Sequence, residues 1–315
     1  MNLENVQYEG WDAVRLANGD AELIVTTSVG PRIIHYSFLG GPNAFHVIPD
    51  TRGQTGGDEW MPYGGHRLWH APEEKPRSYF PDTGAYGAPV MDGGTLVLTS
   101  QPESTTGIQK EMRVSLAPTG SAVKVEHLLT NRNVWPVTLA VWALSIVANG
   151  GKVVLPQEPF VSHDDELVPA RPLVLWKFTD MADPRWRWGS HFVTLAQRDD
   201  LGTAQKVGVY NAQGWGAHVT DTQAFIVSIE PSPGSPANLA DMGSNFEAFT
   251  KGPFQELETL GPLTTLAPGE SVSHTENWYL GTLSGPTDTD AALDATLLPI
   301  VRAAKEAALV PPSPQ

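Results

Sequence analysis

The chain has 315 residues, no cysteine, and a formal net charge of −15 from 20 basic against 35 acidic side chains. The missing cysteine excludes disulfides, thiolate metal centres and cysteine nucleophiles. The acidic balance repels nucleic acid and anionic membrane, so neither is expected as a partner.

Charged residues make up only 17%, while 30 glycines and 27 prolines suit many short strands joined by turns. Met1 to Asn5 carries no basic region followed by an apolar run, so no signal peptide is expected. The longest apolar stretch, 134–147, is interrupted by Pro136, Thr138 and Ser145 and is too short for a membrane span. A soluble, cytoplasmic protein is the expectation.

In chain order, period-two patterning predicts strands over 21–27 and 31–37, then 95–99, 109–116 and 121–130. In 109–116, Met112, Val114 and Leu116 alternate with Glu111, Arg113 and Ser115. A turn at 131–133 leads into 134–148. Further strands are predicted over 173–178, 191–196, 206–210, 224–229, 245–249, 256–260 and 271–280, separated by polar turns such as 231–236. Helical spacing appears once, over 290–308, with Asp288 or Thr289 as cap and Leu293, Leu297, Ile300 and Val301 as an apolar stripe. Pro299 predicts a kink or a division into two helices, and 310–315 cannot continue the helix. So many strands exceed a small sandwich. The expected fold is all-β, with two large antiparallel sheets packed face to face over 1–285 and a C-terminal helical segment over 286–315.

Two segments concentrate the chemistry. Tyr63-Gly64-Gly65-His66-Arg67-Leu68-Trp69-His70-Ala71-Pro72-Glu73 holds two histidines, an arginine, a tryptophan and a carboxylate, with glycines that leave room for a ligand or a tight turn. It reads as a loop-edge segment. Phe254-Gln255-Glu256-Leu257-Glu258-Thr259-Leu260 reads as a strand with both glutamates on one face, where like charge raises the pKa of one of them. An arginine fork binds vicinal hydroxyls or a carboxylate. A tryptophan face stacks on the C–H side of a sugar ring.

With Glu276-Asn277-Trp278-Tyr279-Leu280, these motifs resemble the galactose-mutarotase-like superfamily of carbohydrate-handling β-supersandwich proteins. The resemblance implies a sugar-binding concave face and an aldose 1-epimerase-like reaction. A histidine would act as general acid and a late-strand glutamate as general base. It places Glu256 or Glu258 as base, favouring Glu256 with Glu258 as a structural partner, and His66 or His163 as acid, although the superfamily's Asn-His-Tyr-Phe-Asn signature is absent around His163. Arg67 and Trp69 orient the sugar, and His70, Glu73 and Lys177 supply further contacts.

Three rival readings remain. A lyase for uronate chains would need Arg67, Lys177, Arg185 and Arg187 to converge. A hydrolase would need two carboxylates about 5–10 Å apart across a glycosidic bond. A sugar-binding module would keep the aromatics and donors without an acid–base pair. His66, His70, Glu73 and His163 are ligand types for zinc or a harder ion. The sequence has no HExxH segment, calcium loop, dinucleotide or Walker motif, and no Gly-x-Ser-x-Gly, so no metal and no organic cofactor are expected. The expected partner is a small sugar or an oligosaccharide, and oligomeric state is left open.

Overall fold

The structure, a computed structural model, describes residues 2–230 and 236–308. Most of the turn cluster expected over 231–236 and all of the tail 310–315 lie outside the described residues.

Two large antiparallel sheets, of eleven and ten strands, form a β-supersandwich. The larger sheet runs Asn2–Tyr8, Trp11–Ala17, Ala21–Thr26, Arg32–Phe38, Gly65–Ala71, Val137–Ile146, Phe254–Leu260, Phe246–Lys251, Gln205–Val209 and Leu173–Leu175, with Thr264–Leu266 also paired to Val137–Ile146. The smaller sheet is centred on Trp215–Val219, Gln223–Ser228, Ser271–Thr282, Val123–Asn131 and Ile108–Leu116. Alternation explains the packing. Leu68, Val141 and Leu257 of the larger sheet meet Val125, Met112 and Trp278 of the smaller one in a common apolar core. Trp69, Trp142 and Leu260, of the opposite parity, cluster on the outer face.

The outer face of the smaller sheet is covered by the helices Asp290–Thr296 and Leu298–Ala308. Leu293, Leu297 and Val301 pack there on Ala217, Ile226 and Trp215. The Thr289 hydroxyl caps the first helix by accepting from the Ala292 N–H at 3.1 Å, and the break between the helices falls at Leu297.

The segment read as loop-edge is a fully buried central strand, Gly65–Ala71. Its two glycines make room for backbone and not for a ligand. Both have positive φ, +110° at Gly64 and +69° at Gly65. A Cβ at Gly64 would stand 2.2 Å from the His46 carbonyl oxygen, and one at Gly65 would stand 2.3 Å from that of Ile33. Glycine is therefore required where the backbone at His46 and the Arg32–Phe38 strand close on this one.

Candidate functional site

The outer face of the larger sheet carries a cavity of about 340 Å³. Its floor is built by register. Leu144 pairs with Arg67 on one side and Glu258 on the other, and Glu258 pairs in turn with Glu247. Two residues along, Ile146 pairs with Glu256, which pairs with Phe249, which pairs with Lys206. Directly paired residues in antiparallel strands share a face, so the charged groups are gathered on one surface. Trp60, Tyr79, Trp176, Phe178 and Phe254 wall the cavity.

Two ion-pair systems occupy the floor. Arg67 Nη1 lies 2.8 Å from Glu256 Oε1, and its guanidinium sits over Trp69 at 4.5 Å and Trp60 at 5.3 Å. Lys206 Nζ bridges Glu247 at 2.7 Å and Glu258 at 2.9 Å, over the rings of Trp176 and Trp142. Trp142 Nε1 also donates to Glu258 at 2.9 Å. Each cation is thus held by carboxylate and by two tryptophan faces, the arrangement that desolvated cations favour.

Burial pushes the Glu256 carboxyl up to about 7; Arg67 opposes the rise and Glu258 adds to it. Burial would strip the proton from Lys206, but Glu247 and Glu258 outweigh it and hold the ammonium above its ordinary range. Burial likewise drives Glu247 well above the carboxylate range. Two buried donors on cavity-lining residues, Arg67 Nε and Trp60 Nε1, have no hydrogen-bond partner among the described residues.

Of the residues singled out in the sequence, the fold brings Arg67, Trp69, Glu73 and Glu256 to the cavity wall, with Glu258 directly behind Lys206. Glu73 stands at the rim and accepts from the Tyr79 hydroxyl. Trp69 does not offer an open stacking face: it is 4% exposed and Arg67 covers its ring.

His66 and His70 point the other way, because even-numbered positions of this strand face the second sheet. His70 contacts Glu103 at 3.4 Å, and Glu103 is paired to Lys110 at 2.5 Å. Burial opposes ionisation of Glu103, yet Lys110 and His70 hold it down at about 2. His163 lies on the surface with its side chain 90% exposed and Asp164 beside it at 3.5 Å. Lys177 is exposed while its neighbours Trp176 and Phe178 line the wall. Replacing His163 with alanine is expected to leave melting temperature and sugar binding unchanged; calorimetry on both would detect any contrary role.

The convergence required of a lyase is absent. Arg185 is bound to Asp183 and Arg187 to Asp290; Arg187 belongs to the strand Trp186–Trp188 of the smaller sheet and Arg185 immediately precedes it. Nor do Glu256 and Glu258 face each other across a gap: they are neighbours on one strand, and the second is locked by Lys206.

His66 instead joins a second polar cluster, sealed between the sheets. Its Nδ1 lies 2.9 Å from Ser145 Oγ and its Nε2 2.7 Å from His127 Nε2. His127 Nδ1 donates to the His274 carbonyl at 3.0 Å. Glu276 accepts from Thr259 Oγ1 at 2.5 Å and from Trp278 Nε1 at 2.7 Å. Burial lowers His66 well below its usual range and His127 to about 3, and raises Glu276 to about 7.

Sequence reading missed Lys206, Glu247, His127, His274 and Glu276. The last three had a signal: in 123–131 and 271–282 they occupy the parity otherwise held by Val125, Leu129, Trp278 and Leu280. Lys206 had none, since Gln205–Val209 is buried on both faces.

A β-supersandwich with a polar, aromatic-walled cavity on the outer face of its larger sheet is the class that fold and site define. No protein-family model matches the sequence, and no curated protein matches it. Solved structures do. One is a galactose mutarotase-like protein from Lactobacillus casei, 11% identical with a TM-score of 0.56, the match covering 85% of this chain and 100% of that one. Another is a galactose mutarotase related enzyme from Lactobacillus acidophilus, 10% identical with a TM-score of 0.51, covering 88% and 98%. The chain shares the fold of these two structures.

Proposed function

We propose that this is a carbohydrate-active protein whose cavity binds an aldose and exchanges its anomers, in the manner of an aldose 1-epimerase. One observation carries the reading: a buried carboxyl, Glu256, poised at about 7 beside a guanidinium at 2.8 Å, in an aromatic cavity of about 340 Å³. That volume suits a small ligand, and a base works best with its pKa near the operating pH. Glu256 takes the proton of the anomeric hydroxyl as the C1–ring oxygen bond opens to the aldehyde. The free N–H groups of Arg67 and Trp60 hold the negative charge that develops on the ring oxygen. Rotation about the C1–C2 bond and reclosure on the other face of the carbonyl return the proton from Glu256 to the anomeric oxygen. A cysteine-free sequence supports a cytoplasmic setting.

A second reading, sugar binding without turnover, is favoured by one observation: no histidine lines the cavity among the described residues. Exchange spectroscopy on the anomeric protons of common aldoses separates the two. Accelerated interconversion supports the enzyme, and binding without acceleration leaves the binder. Sugar contact also predicts that Trp176→Ala weakens aldose affinity by about two- to tenfold in titration calorimetry, the scale of one lost aromatic contact. Unchanged affinity would move the sugar away from this wall.

A further inference from the structure

The sealed cluster between the sheets plays no part in the cavity chemistry, and we infer that His66, His127 and Glu276 form a binding site for one divalent metal ion of the zinc class, clamping the two sheets together. One ligand atom from each lies within 4.8 Å of the others. All three residues are buried, and they come from three strands: Gly65–Ala71 in the larger sheet, and Val123–Asn131 and Ser271–Thr282 in the smaller.

The surroundings of each donor favour the ion. A ligating histidine is normally oriented by a hydrogen bond from its other ring nitrogen, and both have one here. His127 Nδ1 donates to the His274 carbonyl, which fixes its Nε2 as a lone pair. His66 Nδ1 faces Ser145 Oγ, a hydroxyl able to accept. The two Nε2 atoms are thereby aimed at each other, 2.7 Å apart, so that a proton or a cation must lie between them. A proton on His66 Nε2 satisfies that requirement, and so does a metal ion once the pair opens to about 3.3 Å, as tetrahedral bonds of ~2.0–2.1 Å demand.

Charge favours the metal. Glu276 is 2% exposed, its hydrogen bonds come from neutral Thr259 and Trp278, and among the described residues no lysine or arginine is paired with it. Among the described residues the only cation-forming group within ion-pair range is His66, whose Nδ1 is 4.0 Å away. A divalent ion supplies the compensation that this carboxyl lacks. Two imidazoles and one carboxylate form a donor set suited to zinc, leaving the fourth tetrahedral position for water.

The test uses the full chain, expressed in zinc-supplemented medium and purified without chelator. Elemental analysis is expected to find close to one zinc per chain. Protein unfolded and refolded in EDTA is expected to melt about 5 °C or more lower, and refolding with added zinc is expected to restore the difference. Glu276→Gln keeps an amide oxygen that accepts from Trp278 Nε1, turns its NH2 toward Thr259 Oγ1, a hydroxyl able to accept, and removes the charge. It is expected to fold in EDTA like the parent and to lose at least tenfold in zinc affinity. A metal content near zero, together with a melting temperature that zinc does not move, overturns the site. Zinc bound equally well by Glu276→Gln and His127→Gln also overturns it, since the ion then lies elsewhere.

Discussion

Replacing Lys206 with methionine is expected to destabilise the protein by about 3–5 kcal/mol, the largest effect of any single change in the cavity. Methionine matches the stem in length and keeps the contacts with Trp142 and Trp176. What it removes is the only cation paired with Glu247 and Glu258 among the described residues, and both glutamates have 0% exposure. An ion pair of this kind adds little over an apolar isostere when lost whole, but losing one member strands the other. Here two carboxyls would be stranded. Glu247, already driven upward by burial, takes a proton more readily, which keeps the loss toward the lower end of the range. Urea unfolding at neutral pH measures it. Adding Glu258→Gln to Lys206→Met is expected to recover part of the loss, because the two groups interact directly. A loss below about 1 kcal/mol in the single variant would show that the cluster is held together without the ammonium.

The second large effect is on reaction rate. Glu256→Gln is expected to slow anomeric exchange by roughly 10²- to 10⁴-fold, the usual contribution of a positioned proton-transfer group. The pH dependence gives a sharper signature. A base must be ionised, so exchange by the parent protein should rise as pH increases through about 7 and fall below it. The residual rate of Glu256→Gln should lack that inflection. The stability sign is opposite. The folded pKa is raised above the value near 4.3 of the unfolded chain, so Glu256 favours the folded state most at acid pH. That contribution is lost as pH rises from about 4.5 to about 7. The stability of Glu256→Gln relative to the parent should therefore improve between pH 5 and pH 8 in urea titrations. A rate profile with no inflection near 7 in the parent would remove Glu256 from the role of base.

Arg67 gives these two effects a common setting. It shares the central region of one sheet with both glutamates, separated from their strand only by Val137–Ile146. Its Nη1 reaches Glu256, whereas Lys206 serves Glu258. The two glutamates, identical in type and in strand parity, are thereby assigned different tasks by their partners. Glu258 is fixed on Lys206 and Trp142. Glu256 keeps one wall of the cavity and a pKa near neutrality.

Much of this was legible in the amino-acid sequence. Period-two alternation and dense turn residues specify sheet, and the number of strands specifies two large layers. The parity of Glu256 and Glu258 puts both on one face whatever lies above it. The same parity rule separates Arg67 from His66 once Gly65–Ala71 is known to be a strand. That last step is where local information ended. The glycines at 64 and 65 mimic a loop, and only the approach of the Ile33 and His46 carbonyls explains them.

Strand pairing across long sequence separations decided the rest. It put Lys206 between Glu247 and Glu258, covered the Trp69 ring with Arg67, left His163 in solvent, and drew His66 into a cluster with His127 and Glu276. Alternation along a strand is local and is written in the sequence. Which strand lies beside it, and so which charge neutralises which, follows from the energy of the whole packed sheet.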